Sequence, residues 1–194
     1  MKKLLISLLL LLPLTGCIPA AFLVGAGATG AIAYDKRSSK VMLQDRNITD
    51  TAQGKLDETR SLDGKAYIQV YTFNRTVLLV GQATSSDVID HAYRIVKSVP
   101  GIRRIYNQIT IGQPTSLTQR SDDAWITTKT KSAMLLEKGL RSGQIKVVTQ
   151  NDIVYLMGVV SPSQGKLAAK VARHIKGVEK VVKVFQYTAE EAEP

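Results

Sequence analysis

The chain has 194 residues, 44% hydrophobic and 22% charged, which excludes wholesale disorder and leaves room for one ordinary domain or two small ones. Its 26 Lys and Arg against 16 Asp and Glu give a formal charge of +10, so an acidic partner is expected: nucleic acid, an anionic membrane or an acidic protein. The single cysteine excludes an intramolecular disulfide.

The chain opens with MKKLLISLLLLLPLTGC, in which Lys2 and Lys3 precede an apolar run from Leu4 to Leu12. That run is too short for a membrane-spanning helix of about 20 residues, and its layout is that of a secretory signal. Leu14-Thr15-Gly16-Cys17 resembles the bacterial lipoprotein lipobox. The resemblance implies that residues 1–16 are removed and that Cys17 carries acyl chains of the palmitate type on its sulfur and its new amine. Several chains, each contributing about 0.8 kcal/mol per buried CH2, make a stable anchor. Ile rather than Asp at position 18 implies, by the same resemblance, the periplasmic face of the outer membrane. Export removes nucleic acid from the expected partners. Loss of Lys2 and Lys3 takes the basic count from 26 to 24 against 16 acids, a formal +8.

Residues 17–44 are expected to be tether. IPAAFLVGAGATGAIAY is apolar but rich in Gly and Ala, hence weakly hydrophobic, and is expected to lie near the bilayer surface or on the folded part. Its GAGATG lacks the strand–turn–helix setting of a dinucleotide fingerprint. DKRSSK, 35–40, reads as an exposed linker.

The rest of the chain repeats itself. TVLLVGQATSSD at 76–87 echoes DIVYLMGVVSPSQ at 152–164, with Gly81 and Gly158 77 residues apart. VPGIRRIYNQITI echoes IKGVEKVVKVFQY, with Gly101 and Gly177 76 apart. ITDTAQGKL from Ile48 echoes ITTKTKSAM from Ile126, 78 apart. Each copy opens with a helix, marked by Ile48, Ala52 and Leu56, then by Ile126, Ala133 and Met134. Asp45 and Asp123 stand just before these apolar positions, where a carboxylate can cap a helix. Alternating strands follow at 67–73 and 145–149, then tight turns at Asn74-Arg75 and Gln150-Asn151-Asp152, then second strands through Gly81 and Gly158. Second helices are expected at about 85–98, with Val88, Ala92, Ile95 and Val96 inward, and at about 163–176, with Leu167, Ala168, Val171 and Ile175 inward. Gly101 and Gly177 are placed as their C-caps. IRRIYNQITI and VEKVVKVFQY close the copies as strands.

Each copy therefore reads α-β-β-α-β, an α+β unit with helices on one face of a three-stranded mixed sheet. The glycine in LLVGQAT and YLMGVVS, the helix after it, and the GIRRI and GVEKV turns resemble the BON domain. With the lipobox and DDAWITTK, the chain is similar to the dual-BON outer-membrane lipoproteins of Gram-negative bacteria. The boundaries expected are 45–113 for the first domain, 114–121 for a linker, 122–188 for the second domain and 189–194 for an acidic tail.

Catalytic signals are weak. His91 and His174 fall in different repeats without a neighbouring cysteine, a poor zinc set, and no G-x-S-x-G elbow occurs. A non-enzymatic, monomeric binding module without a cofactor or metal is expected. Basic residues gather in the second copy at Lys129, Lys131, Lys138, Arg141 and Lys146, around the sole tryptophan, Trp125. Lysines and a large aromatic on a helix suit a membrane interface. In the repeat register Trp125 matches Asn47, one place before the core position Ile126. It shares a helix face with Lys129, Ser132 and Leu136, bordered by Thr128 and Leu135. Membrane contact, packing between the repeats and burial in its own core are the three readings. The family resemblance implies the first: binding of phosphatidylglycerol or cardiolipin by Trp125, Thr128, Lys129, Ser132, Leu135 and Leu136, tied to the cell division site and membrane integrity. The alternatives are an envelope scaffold for a protein partner, such as the outer-membrane assembly machinery, or peptidoglycan binding.

Overall fold

The computed structural model describes residues 38–189. Cys17, residues 18–34 and residues 190–194 lie outside them. Twelve elements follow in two sets of six, each set including one short 3-10 turn. The first copy comprises α1 (Ser39–Asp57), β1 (Ala66–Phe73), β2 (Thr76–Ala83), α2 (Ser86–Lys97) and β3 (Arg104–Ile111). The second comprises α3 (Leu117–Leu136), β4 (Ile145–Gln150), β5 (Ile153–Val160), α4 (Pro162–Arg173) and β6 (Lys180–Tyr187). In each sheet the second strand is central, antiparallel to the first and parallel to the third. The α+β, mixed-sheet architecture is the one the sequence pattern implies.

Alternation along the strands sends side chains to two different interiors. Val70, Val77, Leu79 and Ile109 join Ile48, Ala52, Leu56, Ala92 and Val96 beneath α1 and α2. Val147, Val154, Leu156 and Phe185 join Ile126, Met134, Ala168 and Ala172 beneath α3 and α4. The opposite faces meet each other: Phe73, Leu78 and Val80 of the first copy pack with Val148, Tyr155, Met157 and Val184 of the second. β2 is consequently buried along its whole length. The molecule is helices, sheet, sheet, helices, and among the described residues each copy has its own helix–sheet core, with a third core between the sheets, all built from residues between 48 and 185.

Polar side chains close the seam. Asn74 Nδ2 donates to Gln186 Oε1 at 2.8 Å, and Gln186 Nε2 donates to Thr76 Oγ1 at 2.8 Å. At the other end Gln150 Nε2 donates to Thr115 Oγ1 at 2.8 Å, and the Thr115 hydroxyl donates to Gln82.

Three expectations are corrected. Asp45 and Asp123 are not helix caps; Ser38 and Ser116 fill that role. The aspartates lie inside α1 and α3, 4% and 5% exposed, and reach across to the hairpin turns. Asp45 accepts from the backbone N–H groups of Asn74 and Arg75, both at 2.7 Å, and Asp123 from those of Asn151 at 2.8 Å and Asp152 at 2.9 Å. All four turn residues have positive φ, between 48° and 61°, the two-residue type I′ geometry without its usual glycine. Each left-handed non-glycine residue costs about 1–2 kcal/mol, which charge-assisted bonds to a buried carboxylate can offset. Second, Gly101 and Gly177 do not cap α2 and α4, which end four residues earlier at Lys97 and Arg173. They turn the chain into β3 and β6, with φ of 87° and 99°, and face the side chains of Ile48 and Ile126. Third, helix occupies parts of both expected linkers: α1 starts at Ser39 and α3 at Leu117.

The glycines that anchor the repeat have steric reasons. A Cβ on Gly81, at φ 129°, would stand 1.9 Å from the Tyr67 carbonyl oxygen, and one on Gly158 would stand 2.6 Å from that of Gln144. Gly81→Ala is expected to cost more than about 4 kcal/mol in urea unfolding, while Gly64→Ala, with φ of 66° but open space around it, costs about 1–2 kcal/mol. Asp123→Ala leaves two turn N–H groups without their acceptor, and a loss of about 2–4 kcal/mol is expected in the same assay.

Candidate functional site

α3 begins with a serine N-cap. The Ser116 hydroxyl accepts from Gln119 N at 3.2 Å, and Ser116-Leu117-Thr118-Gln119 fits the S-x-x-Q pattern. Asp123, Ile126, Thr130 and Met134 form its buried stripe. The Thr130 hydroxyl is satisfied by its own helix, donating to Ile126 O at 2.8 Å. The stripe positions the helix so that its remaining faces point outward.

Trp125 is 60% exposed. That removes both the inter-repeat and the own-core readings, because neither sheet nor twin copy covers the ring. Lys129 Nζ lies 4.9 Å from the ring centroid, a cation–π pair. Thr128 and Ser132 are exposed, and Leu135 and Leu136 are 58% and 82% exposed. All six predicted residues therefore lie on the outward part of α3, with Lys129 half-buried. Lys131 and Lys138 are exposed beside them.

Sequence reasoning missed Leu117, 76% exposed. It stands 18 residues before Leu135 (135 − 117), about five helical turns, and so on the same line of the helix. The misplaced linker hid it, although the S-x-x-Q pattern at 116–119 marks the earlier start. Exposed apolar side chains thus run from the first turn of α3 to the last. The matching surface of α1 differs: Asn47 replaces Trp125, and Arg46 pairs with Asp50 at 3.6 Å.

Chemistry-bearing groups are sparse elsewhere. His91 Nδ1 sits 3.3 Å from the Ser61 hydroxyl on the surface, and His174 Nδ1 lies 2.7 Å from Lys170 O. Among the described residues, no three His, Cys, Asp or Glu side chains gather where a metal ion could sit, and no helix is long and apolar enough to cross a membrane.

The sequence matches the BON domain over residues 44–113 and again over 122–189. The chain belongs to the BON-domain family. It is 35% identical to Outer membrane lipoprotein DolP of Haemophilus influenzae, over 96% of both chains. It is 36% identical to a 21 kDa hemolysin of Actinobacillus pleuropneumoniae over 79% of each, and 27% identical to Osmotically-inducible protein Y of Escherichia coli over 64% of this chain and 62% of that one. The near-complete match to DolP makes this a DolP-like protein with two BON domains.

Two tyrosines at the seam carry a pH signature. Burial, with smaller contributions from Tyr67 and Asp123, pushes the Tyr71 phenol above its ordinary value of 10.0; burial and Asp123 do the same to Tyr155. Both are neutral in the fold where the unfolded chain would already ionise. Their contribution is therefore full below pH about 10 and is lost as the pH rises through the folded values. Urea midpoints at about pH 9 and about pH 11 are expected to differ, and Tyr71→Phe is expected to reduce the difference.

Proposed function

We propose that this outer-membrane BON lipoprotein binds anionic phospholipid through the outer face of α3, without catalysis. One observation carries the reading: in a well-packed fold, Trp125 stands exposed under the Lys129 ammonium, on a helix that also exposes Leu117, Leu135 and Leu136. An amphipathic ring with its cation suits the headgroup layer, and the leucines suit the region just beneath it. Lys129, Lys131 and Lys138 each add about 1 kcal/mol of attraction near an anionic surface. The matching positions in the first copy hold Ser39, Asn47, Asp50, Asp57 and Glu58, polar or acidic side chains that suit an anionic surface poorly, so the contact is assigned to the second copy alone. Phosphatidylglycerol and cardiolipin are the expected lipids, Cys17 supplies the permanent anchor, and the α3 contact adds a reversible one. Placement at the division site and support of membrane integrity follow as cellular consequences of that contact.

Residues 38–189, which lack Cys17, are expected to float with vesicles containing phosphatidylglycerol and not with phosphatidylcholine vesicles. The Trp125 emission is expected to shift to the blue on binding. Trp125→Glu is expected to weaken binding at least about tenfold, since it places a charge where an apolar ring enters the interface. Equal flotation of both proteins would remove α3 as the lipid contact. Binding that ignores lipid charge and follows a protein partner would favour the scaffold.

A further inference from the structure

Beside the α3 face, a groove of about 450 Å³ opens between the two copies, within the range of small-ligand sites of about 300–1,000 Å³. One wall is α3 and β4, with Arg120, Lys131 and Lys146; the other is β1, with Tyr67 and Tyr71. Arg120 is held in place twice: its guanidinium lies 3.7 Å from the Tyr67 ring centroid, and its Nε donates to Thr115 O at 3.1 Å. Its terminal nitrogens, the Lys131 ammonium and the hydroxyls of Tyr67 and Tyr71 have no hydrogen-bond or ion-pair partner among the described residues. Lys146 donates to Thr72 O at 3.3 Å across the seam and lies 5.3 Å from the Tyr71 ring. The acid lining the groove, Asp123, is committed to the turn N–H groups of Asn151 and Asp152 and to Gln119 Nε2 at 3.3 Å.

The molecule contains its own control. The repeat places a second groove between α1 and β4, lined by Met42, Asp45, Arg46, Asp50 and Lys146 among others. In a register of 78 residues, Met42 stands for Arg120, Asp50 for Thr128 and Gln53 for Lys131. There an Arg46–Asp50 pair neutralises itself at 3.6 Å. The concentration of cations and free hydroxyls is thus found in the groove beside the helix that also exposes Trp125. Ala124 and Thr128 line the open edge of the groove and adjoin the exposed Trp125–Leu135 surface.

We infer that this groove is a binding site for the phosphodiester headgroup of an anionic phospholipid, with Arg120 and Lys131 facing the phosphate, the Tyr67 and Tyr71 hydroxyls donating to its oxygens, and the acyl chains leaving past Thr128 along α3. Planar guanidinium pre-set by stacking is the donor best suited to a phosphate, and the neighbouring ammonium adds a second charge. The inference rests on the lipid reading of α3 but extends it from surface adhesion to capture of a single lipid.

The test is a titration of isotopically labelled residues 38–189 with dihexanoyl-phosphatidylglycerol below its micelle concentration, followed by NMR. Saturable shifts are expected at Arg120 Nε and the Tyr67 and Tyr71 rings. Arg120→Gln with Lys131→Gln is expected to weaken them at least about tenfold, and Lys131→Gln alone, at an exposed site that leaves the fold intact, at least about threefold. Shifts that survive both groove variants overturn the site. Saturation by inorganic phosphate at the same concentration overturns the lipid as its occupant. Wild-type protein that floats with anionic vesicles yet shows no groove shifts overturns the groove and leaves the α3 reading standing; failure of both removes the lipid reading itself.

Discussion

A carboxylate buried in the first helix of each copy, reaching the turn of the following hairpin, is the constraint around which the structure is organised. Asp45 and Asp123 each accept from two backbone N–H groups of a left-handed turn. The bond fixes the helix against the hairpin, which sets the register of β1 against β2 and of β4 against β5, and so decides which residues face the helices and which face the other copy. A one-residue slip would exchange those two interiors. In the second copy the same bond sets the rotation of α3. With Asp123 held inward, Trp125 is turned outward by the geometry of the helix, about 200° further round.

The back-to-back sheets follow from composition as much as from pairing. Leu78, Val80, Tyr155 and Met157 lie on strands whose other face already packs on helices, so an isolated copy would expose them as a broad apolar patch. Burying those faces against each other removes the patch and yields a core the helices never touch. Gln82, Thr115, Gln150, Asn74, Thr76 and Gln186 supply hydrogen bonds at the ends of that core, fixing how the sheets align where apolar contact alone would tolerate sliding.

Much of this was legible in the sequence because repetition supplied a comparison that periodicity alone does not. The order of elements, the mixed sheet and the core positions Ile48, Ala52, Leu56, Ile126 and Met134 read directly from spacing. The position of Trp125 off the core stripe was visible by aligning it with Asn47. The clamp was not, because an aspartate near a helix start has a common local explanation, and its actual partners lie 28 to 30 residues away. The inter-sheet core was hidden for a related reason: strands buried on both faces lose the alternation that would point to a second interface. The groove beside α3 exists only through that interface, so no reading of either copy alone could have found it.

The interface has a consequence for valency. Were the two copies separate chains, their pairing would depend on concentration, and identical partners would present two equivalent outer helices. Here the short segment between β3 and α3 makes the pairing intramolecular, so dilution across a membrane surface does not dissolve it. Covalent duplication also freed the copies to diverge, leaving α1 with Asn47 and a self-neutralised Arg46–Asp50 pair and α3 with Trp125 and unmatched lysines. The molecule is in effect a heterodimer encoded as one chain, a pairing that presents two unlike outer helices.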